Sequence, residues 1–248
     1  MEWEDSAIVL SARPHAETAA VATLMTRARG RHAGLVHGGQ GARMAGVLQP
    51  GNLVTAQWRG RLAEQLGVWN LDLRRASAAA LLDDPLRLAA LASACALTEA
   101  CLPEREPHPA LHDGLVALIE VLEGPAWGEA YVGWEMGLLG EIGFGLDLSG
   151  CALTGVTEDL AFVSPRTGRA VARQAAEPYR ERLLILPPFL TGQGEGGAAE
   201  ILQGLDLTGH FLERHVFAQR HAPVPPARTR FVDRYRNTHT TSGSVPPP

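Results

Sequence analysis

Apolar and polar residues alternate along much of the first 80 positions, and beyond them apolar residues recur at helical spacing. Residues 51–59 (GNLVTAQWR) and 66–74 (LGVWNLDLR) alternate at period two, as strands with one face turned inward do. Residues 6–13 (SAIVLSAR), 19–26 (AAVATLMT) and 31–37 (RHAGLVH) are short apolar or β-branched runs separated by polar and glycine-bearing turns. Five such strands predict a small closed barrel. Residues 37–50 (HGGQGARMAGVLQP) are too long for a hairpin loop and rich in glycine. Between strands three and four of a five-stranded Greek-key barrel of the OB type, that position holds a short helix or a mobile loop.

The period changes after Ser77. Pro85 marks a helix start, and Leu86, Leu88, Leu91, Ala92, Cys95 and Leu102 build one apolar stripe. Residues 109–123 and 126–143 repeat the pattern, which predicts three consecutive helices packed on one another. Past Leu146 the period is lost. Residues 151–168 predict turns and a short strand pair, 183–190 (LLILPPFL) an apolar stretch broken by two prolines, 193–197 a glycine-rich link, and 198–221 one or two helices. From Pro223 the chain, with PVPP and SGSVPPP, offers little apolar surface to bury and predicts a frayed tail. The pattern thus describes an α+β multidomain protein. Residues 1–80 form a barrel, 81–222 a helical domain with an irregular insertion at 148–190, and 223–248 a flexible tail.

Charge turns attention from the fold to a partner. The chain has 248 residues and a formal net charge of −5, yet residues 20–75 carry eight arginines against only Glu64 and Asp72. Clustered positive charge draws polyanions to one module whatever the sign of the whole molecule. All 22 basic residues are arginine. A GC-rich coding bias produces that composition, and it also supplies the side chain best able to grip phosphate bidentately and to stack on bases. Residues 81–150 are strongly acidic by contrast, with two arginines and twelve carboxylates, so the modules carry different tasks.

Several classes are excluded. GGQGAR lacks the Lys-Ser/Thr ending of a phosphate-binding loop, and neither GxSxG nor HExxH occurs. Glu135 and Glu141 are six residues apart on one helix and do not face each other. No catalytic residue and no enzyme is expected. No window approaches 18 uninterrupted apolar residues and the start, MEWEDSAIVL, is acidic, which predicts a cytoplasmic protein. Cys95, Cys101 and Cys151 are too few and too scattered for a disulfide framework or a CxxC pair.

The order of these pieces resembles the RecO family of bacterial DNA repair and recombination mediators. IVLSARPHAET, LMTRARGRHAGLVHGG, VLQPGNLV and WEMGLLGEIGFGLDLSGC carry the likeness, which runs from the barrel to about Arg214. The resemblance implies an N-terminal OB fold and a central helical domain, working in the cytoplasm at the nucleoid. It further implies binding of single- and double-stranded DNA and strand annealing. Its implied partners are RecR, with which RecA is loaded, and the C-terminal tail of single-stranded DNA-binding protein. Zinc-bearing members place two Cys-x-x-Cys pairs in the insertion. Here Cys151 stands alone, with Thr154, Ala172 and Ala175 at the other ligand positions. One thiolate cannot hold a structural zinc, so 148–190 is expected to be a degenerate zinc-finger-like region without metal or other cofactor, packed by Leu160, Phe162 and Val171.

On that footing the expected DNA contacts are Arg27, Arg29 and Arg31 around the second turn, Arg43 in the glycine-rich loop, Arg59 and Arg61 after strand four, and Arg74 closing strand five. Arg75 beside it is free to pair locally. Together these guanidinium groups should form one continuous electropositive surface. Trp58 and Trp69 either fill the barrel core or offer rings for base stacking. His32 and His37 are structural or exposed, or else add charge at mildly acid pH. Trp127, Tyr131 and Trp134 share one helix face, either as core or as a pocket for a partner peptide. The surrounding acids disfavour the pocket unless Arg105 or an arginine from the C-terminal segment folds over it. Two other classes stay open: an adaptor that works mainly by protein contact, and an RNA-binding OB protein.

Overall fold

The computed structural model describes residues 1–62 and 65–240, and the chain divides into two compact units, Met1–Glu123 and Gly124–Pro248. In the first, strands β1 (Glu2–His15), β2 (Ala19–Thr26), β3 (Gly30–Val36), β4 (Leu53–Arg59) and β5 (Gly67–Arg75) form a closed barrel in the order β1-β2-β3-β5-β4. One long strand makes closure possible. Residues 2–8 of β1 pair with β4 and residues 7–15 pair with β2, and a register shift between Val9 and Ser11 lets β1 bend from one partner to the other. β3 meets β5 through a short parallel pairing, Gly34 with Gly67 and Leu35 with Val68.

The period-two alternation becomes the barrel wall. Val54, Ala56 and Trp58 of β4, Trp69 and Leu71 of β5, and Ala20, Ala22 and Leu24 of β2 all enter one core. The glycine-rich connection carries helix α1 (Ala42–Val47), and Val47 with Leu48 plugs that core. Buried Asn52 pins the plug. Its amide donates to the Gly46 and Val47 carbonyls at 2.8 and 3.2 Å, and its oxygen accepts from the Ala78 N–H at 3.2 Å.

A short α2 (Ser77–Ala80) leads to α3 (Pro85–Cys101), which starts where its sequence directs. The Asp84 carboxylate accepts from the Leu86 and Arg87 amides, and Pro85 occupies the first turn, where a missing N–H costs nothing. α3 packs on β1 and β2, and α4 (Pro109–Val121) lies in the same unit. Packing therefore continues past residue 80, and the helices up to Glu123 share a compact unit with the barrel.

The second unit contains α5 (Trp127–Glu141), a three-stranded sheet of order β7-β6-β8 made from β6 (Leu160–Val163), β7 (Ala170–Ala172) and β8 (Leu184–Ile185), and α6 (Arg173–Ala176) running into a 3-10 turn at Glu177–Arg182. α7 (Ala198–Phe211) continues through a π-helical turn, Leu212–Phe217, and α8 (Pro226–Thr240) follows. α8 corrects the expectation of a frayed tail from Pro223. Phe231, Val232 and Tyr235 are buried, and the Phe231 ring lies 4.6 Å from that of Tyr131. Three apolar side chains at helical spacing suffice once a receiving face exists. Residues 241–248, with the SGSVPPP stretch, lie outside the described residues.

The insertion folds around a small cluster of its own. Cys151, Ala161, Phe162, Val171, Ala172 and Ala176 are buried together, with Leu160 packed at the edge. Burial pushes the Cys151 thiol up, but hydrogen bonds from the Ala172 amide, the Thr154 hydroxyl and the Leu153 and Thr154 amides outweigh it and bring the pKa down to about 7. All three cysteines are buried, and none is joined in a disulfide among the described residues.

Candidate nucleic-acid interface

The interface is sought on the barrel, where the arginines gather. The turn from β2 to β3 presents Arg27 and Arg29, and Arg31 follows in β3. Arg27 forms a two-pronged contact with Asp113: Nε donates to Oδ1 at 2.9 Å and Nη2 to Oδ2 at 2.9 Å. This contact, reinforced by His112, holds the Asp113 carboxyl down at about 2. The half-buried Arg31 donates from Nε to the Leu102 carbonyl at 2.9 Å and lies 3.6 Å from Glu104. Arg59 bonds Glu2 at 2.8 Å and Arg75 bonds Glu123 at 2.6 Å. Four of the eight clustered arginines thus carry their own carboxylates.

The other four are differently placed. The Arg29 guanidinium sits 5.6 Å from the Trp3 ring centroid, a cation–π contact that leaves the charge exposed. Arg61 is exposed just beyond β4. Arg43 is exposed on α1, and Arg74 donates to the Thr55 hydroxyl. Among the described residues, none of these four has a carboxylate partner. Arg29 and Arg61 lie toward one end of the barrel, since Trp3 pairs with Trp58 and the Met1 amino group donates to the Gly60 carbonyl at 2.7 Å. Arg43 lies toward the other end, because β3 runs from the Arg29 turn to the segment carrying α1, roughly 20 Å for seven residues in strand conformation. The expectation of one continuous electropositive surface built from all these arginines is therefore corrected. Acids distant in sequence neutralise half of them, and the rest occupy two ends.

The ring-stacking expectation is corrected as well. Trp58 is 1% exposed and Trp69 3% exposed, so neither offers a face to a base. Cross-strand pairing of Trp3 with Trp58 and of Trp58 with Trp69 sets three indoles side by side inside the barrel. They enclose His32, whose ring lies 5.2 Å from both Trp3 and Trp58 and 5.8 Å from Trp69. Glycines make room for the cage. A Cβ on Gly67 would stand 2.2 Å from the Trp58 ring, and one on Gly34 would stand 2.6 Å from the Trp69 ring. Burial, aided by the positive charge of Arg105 and Arg29, pushes the His32 imidazole down to about 4. His32 stays neutral at mildly acid pH and adds no charge there, while His37 is exposed.

The peptide-pocket expectation meets the same fate in the second unit. Tyr131 is fully buried against Phe231, Trp134 is buried beside it, and Trp127 lies 5.9 Å from Tyr235. The chain's own α8 fills the face. An arginine from the C-terminal segment does fold over it, but Arg228 delivers its guanidinium to Glu135 at 2.8 and 2.9 Å. The Leu205 carbonyl and Thr208 hydroxyl complete the network. Both ends of this ion pair are buried. Sequence reading could not find it, because Glu135 and Arg228 are 93 positions apart. Among the described residues no group of three or more His, Cys, Asp or Glu side chains is placed to hold a metal ion, and no helix is long and apolar enough to cross a membrane.

Comparison with known proteins bears on both units. The family models described as Recombination protein O N terminal and Recombination protein O C terminal match residues 1–71 and 82–222. The chain is similar to a DNA repair protein RecO from Rhodospirillum centenum, 67% identical over all of both chains. It is also similar to a protein of the same name from Caulobacter vibrioides, 51% identical over 94% of this chain and 97% of that one. The Rhodospirillum rubrum counterpart is 49% identical over 95% and 97%.

Proposed function

The chain belongs to the RecO family of DNA repair proteins, and from there we propose that it acts without catalysis, holding DNA strands on an OB-type barrel so that complementary strands anneal. The observation carrying this reading is the barrel end where Arg29 and Arg61 stand exposed, without carboxylate partners among the described residues. The strand order β1-β2-β3-β5-β4 supports the OB assignment. Phosphates of two strands repel one another, and guanidinium groups that neutralise them leave base pairing to proceed on its own free energy. Arg43 and Arg74 are secondary contacts, whereas Arg27, Arg31, Arg59 and Arg75 hold the fold. In this reading the protein works in the bacterial cytoplasm on single and double strands. With RecR it helps load RecA on DNA coated by single-stranded DNA-binding protein, whose C-terminal tail it meets.

The test is salt-titrated affinity for a single-stranded oligonucleotide. Each lost phosphate contact removes about 0.7 from the slope of log affinity against log salt. Arg29→Ala with Arg61→Ala should flatten the slope by about that amount per arginine, and Arg59→Ala should leave it nearly unchanged. A wild-type affinity that ignores salt would remove the proposal. One observation favours a second reading, the adaptor: half of the clustered arginines are neutralised internally. Annealing of complementary oligonucleotides, naked and coated by single-stranded DNA-binding protein, separates the two, because an adaptor leaves the annealing rate of naked strands unchanged.

A further inference from the structure

The rings expected to stack on bases are inside the barrel, but one aromatic ring in the second unit is not. Tyr179, in the 3-10 turn Glu177–Arg182, is 51% exposed. It stands on the wall of a hollow of about 370 Å³ with Leu153, Val171 and Leu183 as apolar lining. Arg166 and Arg182 also line this hollow, and among the described residues no carboxylate does. Glu177 and Glu181 share the turn with Tyr179 but do not reach the lining. Arg180, on the same turn, lies 6.0 Å from the Phe162 ring centroid beneath. By contrast, the neighbouring Arg169 and Arg173 are engaged with Asp147 and Asp159.

From this juxtaposition we infer that the hollow is a second single-strand contact, in which a nucleobase stacks on Tyr179 over the apolar wall while Arg166 and Arg182 meet the flanking phosphates. The inference rests on the DNA-binding reading and adds a site to it. Single strands are held this way, by rings that stack on any base and cations that follow the backbone. Charge complementarity selects the occupant, because two guanidinium groups without a carboxylate among the lining suit a polyanion. Few polar groups line the hollow, Ser164 and Thr167 apart from the arginines, so base edges find little to read and the contact is tolerant of sequence. Cys151, Thr154, Ala172 and Ala175 are not among the lining residues.

The experiment uses the full chain and a fluorescein-labelled oligothymidylate, with wild type, Tyr179→Ala, Tyr179→Phe, and Arg166→Ala with Arg182→Ala compared by anisotropy, and thermal melting confirming each fold. Tyr179→Ala should weaken binding roughly tenfold or more, Tyr179→Phe should restore it because stacking needs the ring and not the hydroxyl, and the arginine pair should lower the salt dependence. In parallel, an oligonucleotide carrying 4-thiothymidine should photo-crosslink wild-type protein within residues 177–182. Wild-type affinity in Tyr179→Ala, or adducts confined to the barrel, would overturn the site while leaving the barrel reading intact. If wild type binds no oligonucleotide at all, both readings fall. If Tyr179→Ala instead loses a synthetic acidic peptide ending in an apolar residue and keeps the oligonucleotide, the hollow is a peptide site and the inference is overturned.

Discussion

His32 shows how a single residue couples packing to pH. Its imidazole is enclosed by Trp3, Trp58 and Trp69, neither ring nitrogen has a hydrogen-bond partner among the described residues, and its pKa lies at about 4 against an ordinary 6.5. Between those two values the unfolded chain takes up a proton that the folded barrel refuses. Stability therefore rises with pH from about 4 to 6.5 and levels off above. The shift corresponds to a contribution of up to about 3 kcal/mol, fully present only above 6.5. Urea unfolding at pH 7.5 and pH 5 should show about 2 kcal/mol of this loss in wild type and a smaller one in His32→Phe; equal losses would exclude the mechanism. Gly67 is the steric counterpart. A Cβ there meets Trp58 at 2.2 Å, and relief requires moving a ring that packs against two others. Gly67→Ala should cost about 1–3 kcal/mol in the same assay, in keeping with overpacked cores.

At the scale of elements, legibility in the sequence followed the range of the interaction. β2 was readable to its last residue and the other barrel strands to within four, because period two and glycine turns are local signals, whereas the strand pair expected within 151–168 is β6 at Leu160–Val163 with β7 at Ala170–Ala172, the latter beyond that range. α3 was readable from Asp84 and Pro85, since caps are local too. α8 was not, because its 15 residues hold only Phe231, Val232 and Tyr235 as large apolar side chains, and they gain order only against Tyr131 and Trp127. The arginines failed for the same reason. Asp113, which neutralises Arg27, is 86 positions away. The buried Glu135–Arg228 pair joins α5 to α8, and removing one partner strands the other charge without solvent. Glu135→Ala or Arg228→Ala should each cost about 3–5 kcal/mol, whereas Glu135→Leu combined with Arg228→Met should recover much of that. Circular dichroism during denaturation reports both, and additive single losses in the double variant would contradict the coupling.

For the whole molecule, the compact first unit runs to Glu123 and not to the end of the barrel. α3 packs on β1 and β2, with the Ser11 hydroxyl of β1 donating to Glu99 of α3 at 2.8 Å, and the Arg27–Asp113 and Arg75–Glu123 pairs are closed only when α4 and its exit are present. A fragment of residues 1–123 should unfold cooperatively in urea, and one of residues 1–80 should show a broad, weak transition. Comparable midpoints would mean that the helices add nothing to the barrel. Residues 82–123 thus match the C-terminal family model by sequence while packing in the first unit. Anyone building hybrids between relatives should cut after Glu123. A splice placed at the sequence border would graft a barrel onto a foreign roof, and compatibility between donors would then depend on how well α3 suits the strands beneath it.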